Sequence, residues 1–327
     1  MAGVAFAPGW RLLGSVFAPS RRFGRLSVLI YHRVLQAPDP LFPEIPVAAT
    51  FRWQMEALRS TFSVLPLKEA IGHAAKGTLP ARAACVTFDD GYADNAEVAL
   101  PILESLGLPA TFFVATGFLD GGRMFNDTVI EAVRAARRPL LDLDAIGIGR
   151  VPVGNETEKR AAISTLLSAV KYLPIAVRLE RVARIAEAAE AELPPSPMMT
   201  AAQVKRIADA GMEIGAHTVN HPILTQLDEV EAGTEIRDGK ARLEALIERP
   251  VELFAYPNGR PGKDYDARHL KILAELGFTG AVSTAAGVAT RSCDSFQIPR
   301  FTPWDRTPGR FVARLLQNCL HGRPETI

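Results

Sequence analysis

Short apolar runs alternating with longer stretches of helical spacing restrict this chain more than any other feature of its sequence. Ser27–Tyr31, Ala83–Phe88, Ala110–Ala115, Met212–Ala216, Val251–Tyr256, Thr279–Ser283 and Phe296–Pro299 are the runs. Each is rich in aliphatic or aromatic residues and bounded by charge or turn residues, the pattern of a strand buried on both faces. Between them, Trp53–Thr61, Asn95–Leu106, Asp228–Glu248 and Asp266–Leu276 have helical spacing, with a bend expected at Pro101. Strands separated by helices of this length predict βα units and a parallel sheet. The fold class is therefore α/β, and some seven such units are enough to close a TIM-like (β/α) barrel with no free edge.

One region departs from the alternation. From about residue 123 to 197 the chain is rich in Ala, Arg and Glu, with helical runs at Asp127–Arg137 and Thr157–Glu192 and a strand candidate only at Ile146–Val153. Pro194-Pro195-Ser196-Pro197 ends it with a rigid, non-helical link. This reads as a helical insertion on one rim of the barrel. The predicted organisation is an arm over residues 1–25, a barrel over 26–305 carrying the insertion, and a terminal helix and tail over 306–327.

The balance of residues is that of a core-forming globular chain of 327 residues, 48% hydrophobic and 22% charged. A formal net charge of +1 provides no field for nucleic acid. Cys85, Cys293 and Cys319 are too few and too scattered for a disulfide framework or a zinc knuckle, and Cys85 is expected to pack as a small hydrophobe. No apolar run reaches the length of a membrane span. The arm has Trp10, Leu13 and Phe17 at helical spacing, followed by Arg21, Arg22 and Arg25. It reads either as a basic amphipathic segment resting on an anionic membrane or as a loosely packed terminus. The expected location is cytoplasmic or peripheral at the inner membrane, with export left open.

In a parallel barrel the reactive side chains come from the C-terminal ends of the strands. Here those ends carry Tyr31-His32-Arg33, Asp89-Asp90-Gly91-Tyr92, His217 with His221 four residues on, Pro257-Asn258-Gly259, and Arg300. The H-x-x-x-H spacing brings two imidazoles to one side of a helical turn, where both can bind one metal. A third ligand is needed, and the paired aspartates supply it. If one coordinates, the other is free to take a proton from water. A divalent cation with a carboxylate beside it makes amide or ester hydrolysis possible at neutral pH, and a leaving amine then calls for an acid such as His.

With T-F-D-D-G-Y at Thr87–Tyr92 and H-T-x-x-H-P at His217–Pro222, the chain resembles the polysaccharide deacetylases of the nodulation-type homology domain, carbohydrate esterase family four. The approaches Pro109–Val114 and Ala210–His217 also fit, and the resemblance runs from about Leu26 to Thr302. It implies a distorted (β/α) barrel of about seven strands. It also implies that Asp89 is the general base and that Asp90, His217 and His221 bind a divalent metal, usually zinc. Two departures stand out. The family's R-x-P-Y-G is here A-Y-P-N-G at Ala255–Gly259, so the arginine that steadies the base is absent; Arg300 is the candidate to replace it, and Asn258 the candidate backbone donor to the oxyanion. The late L-x-H motif is represented only by His321, a poor candidate for the acid. His32 in L-I-Y-H-R-V is the better one, as in the exopolysaccharide branch, whose histidine-bearing strand stands first by circular permutation. Tyr256 and Trp304 complete the expected site as substrate contacts; Trp304 reads equally as a ring that stacks on a sugar and as a core or rim aromatic.

The expected activity is removal of N-acetyl groups from N-acetylhexosamine units of an exopolysaccharide, its lipid-linked precursor or a chito-oligosaccharide. An O-acetyl esterase or aminosugar-lipid deformylase on the same scaffold is the first alternative. A non-catalytic glycan-binding assembly protein is the second.

Overall fold

The structure is a computed structural model and describes residues 15–320 and 324–327. Most of the N-terminal arm, with Trp10 and Leu13, and His321 lie outside the described residues. Two compact units are present: the first takes in the chain up to Pro38, Glu44–Leu119 and everything from Met199, and the second consists of Asp39–Pro43 with Asp120–Met198.

Along the chain, β1 (Leu26–Tyr31), α1 (Ala48–Thr61), β2 (Ser63–Val64), α2 (Leu67–Lys76) and β3 (Ala83–Phe88) come first. A π-helical stretch (Asn95–Ala99) then runs into α3 (Leu100–Leu106), and β4 (Thr111–Val114) ends the first half. The second unit contributes α4 (Phe125–Arg134), β5 (Leu140–Leu143), β6 (Gly149–Pro152), α5 (Glu156–Val170) and α6 (Ile175–Ala188). The first unit resumes with α7 (Ala201–Asp209), β7 (Glu213–Ala216), α8 (Glu229–Ile247), β8 (Leu253–Ala255), α9 (Ala267–Glu275), β9 (Gly280–Val282) and α10 (Pro308–Asn318).

In the first unit the strands form one parallel sheet in the order β1-β3-β4-β7-β8-β9, with β2 also paired to β3. The sheet curls, and its two ends are joined by an irregular segment. Ile298 bridges Val282 of β9, and Phe301 bridges Leu29 of β1. This is a distorted (β/α) barrel. The expected strand at Phe296–Pro299 is thus reduced to single bridges. Pro299 has no N–H to donate, which interrupts a ladder at that point.

Strand residues alternate between two cores. Val28, Cys85, Phe113, Leu253 and Val282 pack together inside the curl, where residues of α2 join them. Leu29, Val86, Phe112, Ile214 and Phe254 face the outer helices. Pro101 sits at the start of α3, directly after the π turn; the wider register accommodates its missing N–H, so the predicted bend is a change of helix type. α8 starts in a capping box, with Asp228 accepting from the Glu231 N–H and Glu231 accepting from the Asp228 N–H.

The second unit has its own core around Val129, Val133, Leu141, Ile163 and Leu166. The run predicted as one helix over Thr157–Glu192 is two, because Pro174 stands at the start of α6. The strand expected near Ile146–Val153 is β6, paired antiparallel with β5 in a hairpin. Asp39, read from sequence as part of the barrel, belongs to this unit and holds Arg134 through bonds of 2.9 and 2.6 Å. His269 is buried at the first turn of α9, where its Nδ1 accepts the Asp266 N–H.

Candidate active site

Asp89 continues the inward series Ala83, Cys85, Thr87 of β3, so its carboxylate caps the interior of the curl. In a regular strand Asp90 would point the opposite way. Instead Asp90 and Gly91 take φ of 77° and 93°, and the chain turns so that both carboxylates serve one mouth. Asp tolerates the left-handed region better than most residues, and glycine enters it freely. The D-D-G text is therefore a backbone requirement as well as a chemical one.

Beyond β7, His217 Nε2 lies 3.4 Å and His221 Nε2 3.5 Å from the same Asp90 Oδ1. The three potential ligand atoms lie within 4.8 Å of one another. Ligands held at zinc distances in a tetrahedron are separated by about 3.4 Å, so the cluster has the spacing of three corners of a metal site. His217 Nδ1 is 2.7 Å from the Ala255 carbonyl, to which it donates. In the neutral ring that fixes the tautomer, with the proton on Nδ1 and the Nε2 lone pair left for a cation. These residues fit a divalent metal.

The two imidazoles are not brought together by a helical turn, as the spacing suggested. Residues 217–221 form an irregular loop in which Thr218 and His221 have φ of 65° and 50°. α8 holds that loop. Glu235 accepts from the Val219 N–H at 3.0 Å, the Asn220 N–H at 2.8 Å and the Asn220 amide at 2.7 Å. At Gly239 a Cβ would lie 2.9 Å from the Thr218 carbonyl carbon and oxygen, so only glycine allows the helix this close. Sequence reading missed Glu235, because one carboxylate on a long charged helix carries no motif.

Arg300 enters from the segment that closes the sheet. Its two terminal nitrogens bond Asp89 Oδ1 and Oδ2 at 2.7 and 2.6 Å, and its Nε donates to the Ser283 carbonyl at 2.9 Å. Both side chains are buried. Burial opposes ionisation of Asp89, but the Arg300 guanidinium outweighs it and holds the carboxyl below the ordinary carboxylate range. Burial likewise opposes ionisation of Asp90, which the hydrogen bond from His217 and the charges of the surrounding histidines reverse. Burial and the neighbouring His217 push His221 down to about 4. Burial lowers His217 too, but its hydrogen bond to Asp90 and the two aspartate charges carry it above the usual histidine value.

The other expected residues divide. His32 is exposed at the end of β1, close enough for its charge to be felt at Asp89, Asp90 and His221. Asn258, with φ of 59°, follows the segment whose Ala255 carbonyl holds His217; its own carbonyl accepts from Thr284 at 2.7 Å. Trp304 is 55% exposed, near-parallel to Phe301 and with Arg314 over its ring. Tyr256 is a correction. It is fully buried and stacked on Tyr265 with ring centroids 3.7 Å apart, so its side chain offers no surface to a sugar.

The profile of the polysaccharide deacetylase family matches residues 76–138 and 180–281, a span that contains both aspartates and both histidines but neither His32 nor Arg300. The Bacillus subtilis (strain 168) relative YxkH, itself named as a polysaccharide deacetylase, is 21% identical over 88% of this chain and 74% of its own length. Among solved structures, the Streptococcus pyogenes deacetylase PplD in complex with acetate is similar at a TM-score of 0.59 and 22% identity, covering 90% of this chain and 98% of that one. IcaB from Ammonifex degensii is similar at 0.59 and 20%, covering 91% and 98%.

Proposed function

The chain belongs to the polysaccharide deacetylase family, and on that premise we propose that it removes N-acetyl groups from N-acetylhexosamine units of a glycan, with zinc as its resident cation. The observation that carries this reading is the pairing of two carboxylates with different partners in one mouth. Asp90 faces two imidazoles at ligand spacing, while Asp89 faces a buried arginine. A divalent cation held by Asp90, His217 and His221 would polarise the acetyl carbonyl and make water acidic enough to lose a proton near neutral pH.

The remaining chemistry falls to the chain's own groups. Asp89 accepts the proton of the attacking water. The guanidinium keeps it ionised and fixes its orientation, so placement rather than intrinsic basicity is its contribution. The Asn258 N–H, which is bonded to no other described residue, is the candidate donor to the oxyanion. His32 protonates the departing amine, and Trp304, more than half exposed, offers aromatic surface for contact with a sugar. An exopolysaccharide, its lipid-linked precursor or a chito-oligosaccharide supplies the acetylated amino sugar.

The test is a product assay on zinc-loaded protein with N-acetylglucosamine oligomers and an O-acetylated glycan side by side. Acetate released in equal amount with primary amine supports the reading. Acetate without amine, from the O-acetylated glycan alone, would make the protein an esterase.

A further inference from the structure

The ring of His32 makes no hydrogen bond to a described residue, so the place of this imidazole is set by its backbone. That backbone is tied by the same loop that carries the two aspartates. The Asp89 N–H donates to the Tyr31 carbonyl at 3.0 Å, and the Asn95 amide donates to the His32 carbonyl at 2.9 Å. Asp94 accepts from the Val34 N–H at 2.9 Å and from Arg33 Nε at 2.8 Å. The Arg33 guanidinium also lies over the ring of Tyr92, 4.7 Å from its centroid. Asp94 and Asn95 are themselves 8% and 1% exposed.

We propose that Asp94 and Asn95 are positioning residues for His32, holding it at a fixed distance from Asp89 and Asp90. The proposal rests on the reading above, in which His32 protonates the leaving amine. Its physical content is that base, metal ligand and the anchor of the acid are one continuous stretch, Asp89 to Asn95. The loop leaves β3, turns at Asp90 and Gly91, and returns against the end of β1, so the backbone that carries the acid is tied to the segment that carries the base. Misplacing a reacting group by about 1 Å can lower a rate by about 100-fold, which is the scale such an anchor protects.

The experiment compares two substrates on full-length zinc-loaded protein. An N-acetylglucosamine oligomer needs a proton on its leaving nitrogen. 4-Nitrophenyl acetate does not, because nitrophenolate leaves unaided. His32→Ala is expected to lower kcat on the amide by roughly 100-fold or more, the usual scale of general acid catalysis, while the ester rate changes far less. Asp94→Asn keeps size and the bond from Val34 but places an amide against Arg33, and Asn95→Ala removes the tie to His32. Each is expected to lower amide kcat about tenfold, with KM and the ester rate within about twofold. Equal loss on both substrates, or no loss, in the two anchor variants while His32→Ala remains selective overturns the positioning role alone. Unselective behaviour of His32→Ala overturns the acid assignment, and the positioning role with it.

Discussion

Arg300 and Asp89 form a buried bidentate pair, each terminal nitrogen of the guanidinium on its own carboxylate oxygen, at 2.7 and 2.6 Å. The two residues are 211 positions apart in sequence. The arginine arrives on the irregular segment that joins the last strand to the first, so closure of the sheet and orientation of the base are one structural event.

Removing one partner of such a pair leaves a buried charge without compensation. Arg300→Ala is expected to cost about 3–5 kcal/mol, read from urea unfolding, together with most of the activity. The double variant Asp89→Leu, Arg300→Met is expected to recover most of that stability while remaining inactive. Recovery of the hydrolytic rate in the double variant would show that Asp89 is not the base.

Among the described residues Glu235 makes no hydrogen bond or ion pair with either aspartate or either histidine, yet it accepts three hydrogen bonds from the residues between the histidines. Glu235→Ala frees that loop. Zinc affinity, measured by competition with a chelator, is expected to fall about 10- to 100-fold, the range for lost outer-shell support. Unchanged affinity would mean that Gly239 packing alone sets the loop.

The two histidines differ in their readiness for a cation. His221, at about 4, is neutral throughout the physiological range, whereas burial is outweighed at His217 by its hydrogen bond to Asp90 and the two aspartate charges, so that ring keeps its proton to a higher pH in the metal-free protein. Metal binding requires the neutral imidazole, so uptake releases the His217 proton. Affinity should be constant above the His217 pKa and weaken about tenfold for each pH unit below it. Calorimetry in two buffers of different ionisation enthalpy, at a pH below the His217 value and above that of His221, is expected to count about one proton per metal. A count near two would mean that both rings are protonated beforehand.

Much of the fold could be read from the chain because most barrel strands are apolar runs between turn residues, and a run as short as Ala83–Phe88 suits a doubly buried strand better than a helix. β2 escaped because Ser63–Val64 is too short to show a period. The strand predicted over Phe296–Pro299 failed at a proline, and the single helix over Thr157–Glu192 split at another. Within the site, Asp89, Asp90, His217 and His221 were legible as ionisable residues at strand ends. The geometry joining the histidines was not, since a four-residue spacing suits both a helical turn and a loop with left-handed residues at Thr218 and His221. Tyr256 was misread because one step along a strand separates a mouth residue from a core residue, and sequence does not display which face a terminal position takes. Glu235, Asp94 and Asn95 act on backbone groups, and such partners leave no spacing to recognise.

The most direct test of the account is acetate release from an N-acetylglucosamine oligomer by Asp89→Asn and the parent protein, each brought to the same measured zinc content. The expected result is retention of zinc through Asp90, His217 and His221 with a rate lowered by about 100- to 10,000-fold, the scale of a lost general base. A variant that holds zinc and still releases acetate at the parent rate would contradict the account.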